Sequence, residues 1–171
     1  MNILRLNFWI FFCVITTLIG CNQKVEVKTY YEDGSLLSKV EMRNNIKDGR
    51  AFVYYRNGNI KESGIWVKDK QEGLWKFYYE TGALYAEVGF KNGVQHGESA
   101  FFYPNYKKMS ISSFEFGKAN GQTELFYENG NIKERSYWKD NKLDSLQILY
   151  DTSGNEMKRN LIKSTEQKFH E

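Results

Sequence analysis

The sequence predicts an all-β fold, an antiparallel meander of about six 24-residue hairpin repeats that form an elongated twisted sheet. Three observations predict it. Gly34, Gly58, Gly82, Gly130 and Gly154 fall on a 24-residue lattice, and Gly49, Gly73, Gly97 and Gly121 fall on a second one with the same spacing. Aromatic positions keep the same beat: Tyr31, Tyr55, Tyr79, Tyr103 and Tyr127 stand three residues before the first glycine series. Within a period, two short runs of strand-forming residues are separated by turn signals, which leaves no room for a helix. Composition agrees, because aromatics make up 16% of the chain and Pro104 is its one proline.

The elements are taken in chain order. Arg5 is the only charge ahead of an apolar or weakly polar run from Phe8 to Gly20. That run suits the core of an export signal and is short for a spanning helix, which needs ~20 residues. Leu18-Ile19-Gly20-Cys21 resembles the lipobox of bacterial lipoproteins. The resemblance implies cleavage before Cys21 and lipidation of that residue; an ordinary secretory signal with a chance cysteine, or a buried N-terminal helix, is the plainer alternative. The expected organisation is a lipoprotein signal peptide over 1–20, a short tether over 21–28, the repeat domain over 29–162 and a polar tail over 163–171. Removal of Cys13 and acylation of Cys21 would leave no thiol for a disulfide or a thiolate metal site. Two or three acyl chains, at ~0.8 kcal/mol per buried CH₂, anchor a protein stably. The expected location is the bacterial cell envelope, at the outer membrane or the periplasmic face if the source is Gram-negative, because Asn22 rather than an aspartate follows the cysteine.

Residues 74 to 97 illustrate one repeat. Leu74-Trp75-Lys76-Phe77-Tyr78-Tyr79 is a first strand, and Thr81-Gly82 a turn whose glycine supplies a positive φ. Leu84 to Lys91 alternates, with Leu84, Ala86, Val88 and Phe90 on one face and Tyr85, Glu87, Gly89 and Lys91 on the other. Asn92-Gly93 is a hairpin signal. The hexapeptide Asn57-Gly58-Asn59-Ile60-Lys61-Glu62 recurs unchanged as residues 129–134, three periods on. Twelve strands at ~4.8 Å each would span on the order of 50 Å. The stretch from Glu156 is weaker, with Met157, Leu161 and Ile162 as a last edge strand.

The pattern Leu74-Trp75-x-Phe77-Tyr78-Tyr79-x-x-Gly82-x-Leu84, followed by Phe90-x-Asn92-Gly93-x-x-His96-Gly97, resembles the MORN repeat in the bacterial variant found in YwqK-type antitoxins. The resemblance covers about Thr29 to Met157. It implies a binding or scaffolding module, and its family label implies an antitoxin. The chain departs from the pattern in the fourth repeat, where Tyr106 replaces the turn glycine and Lys108 an aliphatic residue, and in the fifth, where Ser145 replaces the second glycine. His96 alone carries the histidine of the His-Gly pair; Asp48, Glu72, Asn120 and Asp144 stand elsewhere.

No catalytic constellation is visible. His96 and His170 are the only histidines, and no nucleophile elbow, phosphate loop or dinucleotide fingerprint occurs. Glu62 and Glu134 recur at one repeat position, which reads as structural. The expectation is a non-enzyme with no cofactor and no metal. A net charge of +3 without a basic block argues against nucleic acid. The expected partner is a protein, with a toxin as one form of it, and the membrane is reached through the N-terminal lipid; end-to-end self-association stays open. The candidate site residues are Cys21 for lipidation and Tyr55, Tyr79, Tyr103 and Tyr127 as a binding face. These tyrosines should line up across the sheet, opposite Tyr54, Tyr78, Phe102 and Phe126. The row reads either as packing or as an exposed ladder that stacks on sugars or peptides. Pro104 to Lys108 is expected to form a bend or a contact point, with simple repeat decay as the alternative. In order of preference, the function classes are an envelope-anchored binding or scaffolding lipoprotein, a toxin-neutralising immunity protein, and a glycan or cell-wall binder on the tyrosine ladder.

Overall fold

The computed structural model describes residues 23–162. Twelve strands follow one another: β1 (Lys24–Tyr30), β2 (Leu36–Arg43), β3 (Ile46–Tyr54), β4 (Ile60–Val67), β5 (Lys70–Tyr78), β6 (Leu84–Lys91), β7 (Val94–Phe102), β8 (Lys108–Glu115), β9 (Lys118–Phe126), β10 (Ile132–Lys139), β11 (Lys142–Tyr150) and β12 (Glu156–Leu161). Their order across the sheet is their order in the chain. Each strand pairs antiparallel with the next, giving an open, twisted meander of six hairpins. The sheet begins at Lys24, inside the stretch expected to be a tether. Val25 and Val27 alternate there with Lys24, Glu26 and Lys28 and pair with β2. The alternation is too short, and too far from a lattice glycine, to be read as a strand from sequence.

Two kinds of turn alternate along the chain, and the first accounts for the Gly34, Gly58, Gly82, Gly130 and Gly154 series. At the first kind, the Tyr31 N–H donates to the Ser35 carbonyl and the Gly34 N–H to the Tyr31 carbonyl. The same pair of bonds recurs at Tyr55, Tyr79, Tyr103, Tyr127 and Asp151. This is a three-residue hairpin loop closed by a left-handed residue, which is why glycine is wanted there. Tyr106 takes that conformation at φ 65°, and its turn keeps both bonds, at 2.8 and 2.9 Å. The fourth repeat is therefore not bent at this turn. The second kind is a two-residue turn: Asn44-Asn45, Lys68-Asp69, Asn92-Gly93, Phe116-Gly117 and Asp140-Asn141 have positive φ at both positions. That is the mirror-image turn whose twist matches a hairpin.

The second glycine series marks bulges. Between the pairs Val88–Ser99 and Phe90–Gln95, the single residue Gly89 faces His96, Gly97 and Glu98. A Cβ on Gly89 would collide with the His96 carbonyl. Gly97 is left-handed at φ 83°, and Ser145 holds the equivalent place at φ 60°. The bulge glycines have aromatic partners on the following strand: Gly49 pairs with Trp66, Gly73 with Phe90, Gly97 with Phe114 and Gly121 with Trp138. The glycine lattice and the aromatic lattice are thus two sides of one contact, with backbone displaced where a ring lies.

A row of paired residues runs along one face and carries much of the core, with Ala100 and Ile148 buried on the other face. Val27, Val40, Ala51 and Gly64 begin it. Trp75, Val88, Ser99, Ser112, Thr123, Ser136, Gln147 and Asn160 continue it. Trp75 is 2% exposed and is the anchor. Its ring occupies the space a Cβ on Gly64 would need, its Nε1–H donates to the Ile65 carbonyl, and it meets Trp66 edge-on with centroids 5.2 Å apart. Towards the C-terminal half the row becomes polar, and its hydroxyls are used: Gln95 Nε2 donates to Ser99 Oγ at 2.9 Å and Trp138 Nε1 to Ser136 Oγ at 3.1 Å. Buried hydroxyls are tolerated because each has a partner.

Candidate functional site

The tyrosine column proves to be a clasp between repeats. Tyr31, Tyr55, Tyr79, Tyr103 and Tyr127 donate their hydroxyls to the carbonyls of Tyr54, Tyr78, Phe102, Phe126 and Tyr150, at 2.7 to 3.0 Å. Each bond reaches 23 residues ahead, to the last residue of a first-type strand in the next hairpin. The rings are half-buried. Arg56 covers Tyr31 at 4.5 Å, and Lys61 and Lys133 lie over Tyr55 and Tyr127 at 5.8 Å. Tyr79 packs edge-on against Tyr85, and burial raises its hydroxyl pKa. The hydroxyls of Tyr55, Tyr79, Tyr103 and Tyr127 are therefore committed to the main chain and are not free polar tips. The burial of their hydroxyls in main-chain hydrogen bonds is not visible in periodicity, which marks a column without saying what it touches.

The repeated hexapeptide is explained at the same edge. Asn57 and Asn59 both donate their side-chain amides to the Glu80 carbonyl, at 2.9 and 2.8 Å. Asn129 and Asn131 do the same to the Thr152 carbonyl. Each pair ties one turn to the next, while Asn57 Oδ1 accepts the Asn59 N–H within its own turn. In the fourth repeat Lys107 Nζ reaches the Asn129 carbonyl at 2.8 Å and replaces the asparagine staple. The Pro104–Lys108 turn is thus occupied with the same structural task as its neighbours. Glu134 accepts a hydrogen bond from Gln147 Nε2, and Glu62 pairs with Val53 and Phe77 across the sheet. Glu62 also lies with Lys47 at the rim of a cavity of ≈ 150 Å³ whose walls are Val40, Ala51, Val53, Trp66 and Trp75. Cys21 and His170 lie outside the described residues.

The opposite edge, built by the two-residue turns, differs in chemistry. Lys68, Lys70, Lys91, Lys139 and Lys142 stand at these turns, all exposed. None of the five enters an ion pair among the described residues. Four carboxylates of this edge are engaged within the sheet. Asp69 accepts the Lys47 N–H, Glu72 the Asn92 N–H and Glu115 the Asn120 amide, and Asp140 pairs with Lys118. Apolar side chains interleave with the lysines: Val67, Val94 and Phe116 are exposed, Phe116 by 75%. Phe116 lies 5.7 Å from the His96 ring and closes a depression of ≈ 140 Å³ with Lys91, Asn92, Val94 and His96. Sequence reasoning passed over this edge because its lysines are dispersed singly. The signal was Phe116 itself, which stands before a glycine at a turn position where Asn44, Asn92 and Asp140 are the residues such a turn favours.

Among the described residues, no group of three or more His, Cys, Asp or Glu side chains is placed to hold a metal ion. A single-layer meander of near-identical hairpins, held together by inter-repeat main-chain clasps, defines a repeat module. The MORN repeat variant matches residues 24–44, 47–68, 71–92 and 119–140, just over half of the chain. The chain belongs to the MORN repeat variant family, a family of non-enzymatic repeat modules. No curated protein matches it. The matched stretches pass over 93–118, which holds His96, the Tyr106 turn and Phe116.

Proposed function

We propose that this protein is a lipoprotein anchored in a bacterial envelope, and that its repeat sheet is a non-catalytic module that binds or scaffolds a protein partner. One observation carries the binding reading. The sheet is a single layer, yet it leaves Ile65, Val67, Leu74, Val94 and Phe116 exposed. Val94 and Phe116 share one depression with Lys91, and exposed apolar side chains beside charge are what a docking face requires. The anchor rests on the sequence alone, on the apolar run Phe8–Gly20 and the lipobox-like Leu18–Cys21. The first strand begins at Lys24, so the sheet would sit close to the lipid headgroups.

The experiment is mild crosslinking in native membranes, detergent solubilisation and affinity purification read by mass spectrometry. The reading expects one stoichiometric protein partner, and Cys21→Ser should move the protein to soluble fractions. If that partner is a toxin relieved by this chain, the module is an immunity protein, as the family resemblance implies. Absence of an enriched protein would contradict the module reading. Persistent membrane association of the Cys21→Ser protein would contradict the anchor.

A further inference from the structure

Phe116, like Tyr106, combines a left-handed backbone with an exposed aromatic side chain. It holds φ at 50°, a conformation that bulky side chains rarely adopt. It gains no burial in return, since three quarters of its surface is exposed. Its turn mates at the neighbouring hairpins, Asn92 and Asp140, are of the kind that takes a left-handed conformation readily. Strain of this sort persists where something other than folding retains it. Around Phe116 the surface is not random. A Cβ placed on Gly117 would lie 3.2 Å from Val94, and one on Gly93 would lie 3.6 Å from Lys70, so both side chains stand beside these turns. The His96 ring flanks Phe116 on the sheet side. Glu72 and Glu115 accept hydrogen bonds within the sheet and Lys118 pairs with Asp140, whereas Lys70 and Lys91 enter no ion pair among the described residues.

We infer that the Phe116 turn and the two-residue turns beside it form the docking surface for a protein partner that presents an acidic segment carrying an apolar or aromatic side chain. This rests on the module reading above and gives it a place and a chemistry. The apolar side chain would fill the depression between Val94, His96 and Phe116, and its carboxylate neighbours would meet Lys70 and Lys91. Aromatic anchors in pockets rimmed by complementary charge carry most of the affinity at protein interfaces. Exposed lysines add attraction that falls with salt. At the opposite edge Asn57, Asn59 and the hydroxyls of Tyr55 and Tyr79 are committed to main-chain carbonyls.

The test selects a display library of random short peptides on the full chain in detergent. The expected result is enrichment of Asp and Glu around Trp, Phe or Leu. A synthetic peptide from that selection should bind roughly tenfold more weakly to Phe116→Asn and to the pair Lys70→Glu with Lys91→Glu. Lys107→Glu, at the opposite edge, should leave its binding unchanged. Asparagine suits the turn, so Phe116→Asn tests the side chain without threatening the fold. The proposal is overturned if the selected peptides lack carboxylates, or if they bind the edge variants as well as the parent. It is also overturned if the chain ignores peptides and is retained instead on phosphatidylglycerol vesicles. A partner captured from native membranes that still binds the edge variants would defeat this surface and leave the module reading standing. Failure to capture any partner would defeat the module reading itself.

Discussion

Removing a single phenolic oxygen should be felt across a repeat boundary. Tyr79→Phe keeps the ring and deletes the 2.9 Å bond to the Phe102 carbonyl, so urea unfolding should show a loss of about 1 kcal/mol. The opposite sign is expected at Tyr106, which is 70% exposed and left-handed. Tyr106→Gly relieves that conformation and should raise stability by about 1 kcal/mol, with the turn bonds unchanged. Glu41 gives a pH signature. The Arg50 N–H, then the Arg50 guanidinium and Lys24, hold its carboxyl down to about 2. A carboxylate stabilised in the folded state contributes fully above its ordinary value and loses that contribution as pH falls towards the folded one. The stability advantage of the parent over Glu41→Gln should therefore hold above pH 4.5 and shrink towards about 2, measured by denaturant unfolding at each pH.

At the scale of the element, the hairpin is fixed by compensation between neighbours. Trp75 is large because Gly64 is absent as a side chain, and the ring is buried against Trp66 and Phe90. Trp75→Ala should cost about 3–5 kcal/mol, read by thermal or denaturant unfolding. Much of the element was legible beforehand. The alternation of Ala86, Val88 and Phe90 against Glu87 and Gly89 names the faces correctly, because period two is a direct consequence of the pleat. The first glycine series named the three-residue turns, since a left-handed backbone selects for glycine, while the second marked bulges. Three features were not legible. The start of β1 was missed because a five-residue alternation carries little signal. The hydroxyls of the tyrosine column, each bonded to a carbonyl 23 residues on, form a contact that periodicity does not reveal. The lysine edge was overlooked because charges dispersed by a period come together only when turns stack side by side.

The molecule as a whole is a one-dimensional array in which each hairpin touches only its neighbours. Its ends follow from the same lattice. Five periods after Lys39 stands Arg159, and one period before Phe52 stands Lys28. Since Lys39 pairs with Phe52, a second copy extending the sheet in register would set Arg159 against Lys28. Like charges directly opposite disfavour that addition, and they protect two otherwise open edges. The array is thus regular where it must hold itself together and irregular at the Phe116 turn. The central claim is that the regular tyrosines maintain the fold while the irregular phenylalanine meets the partner. The direct test measures melting temperature and affinity for the captured partner, side by side, in Tyr79→Phe and Phe116→Asn. The account predicts a lower melting temperature with undiminished binding for Tyr79→Phe, and a higher melting temperature with lost binding for Phe116→Asn. Binding lost with Tyr79→Phe and kept with Phe116→Asn would contradict it.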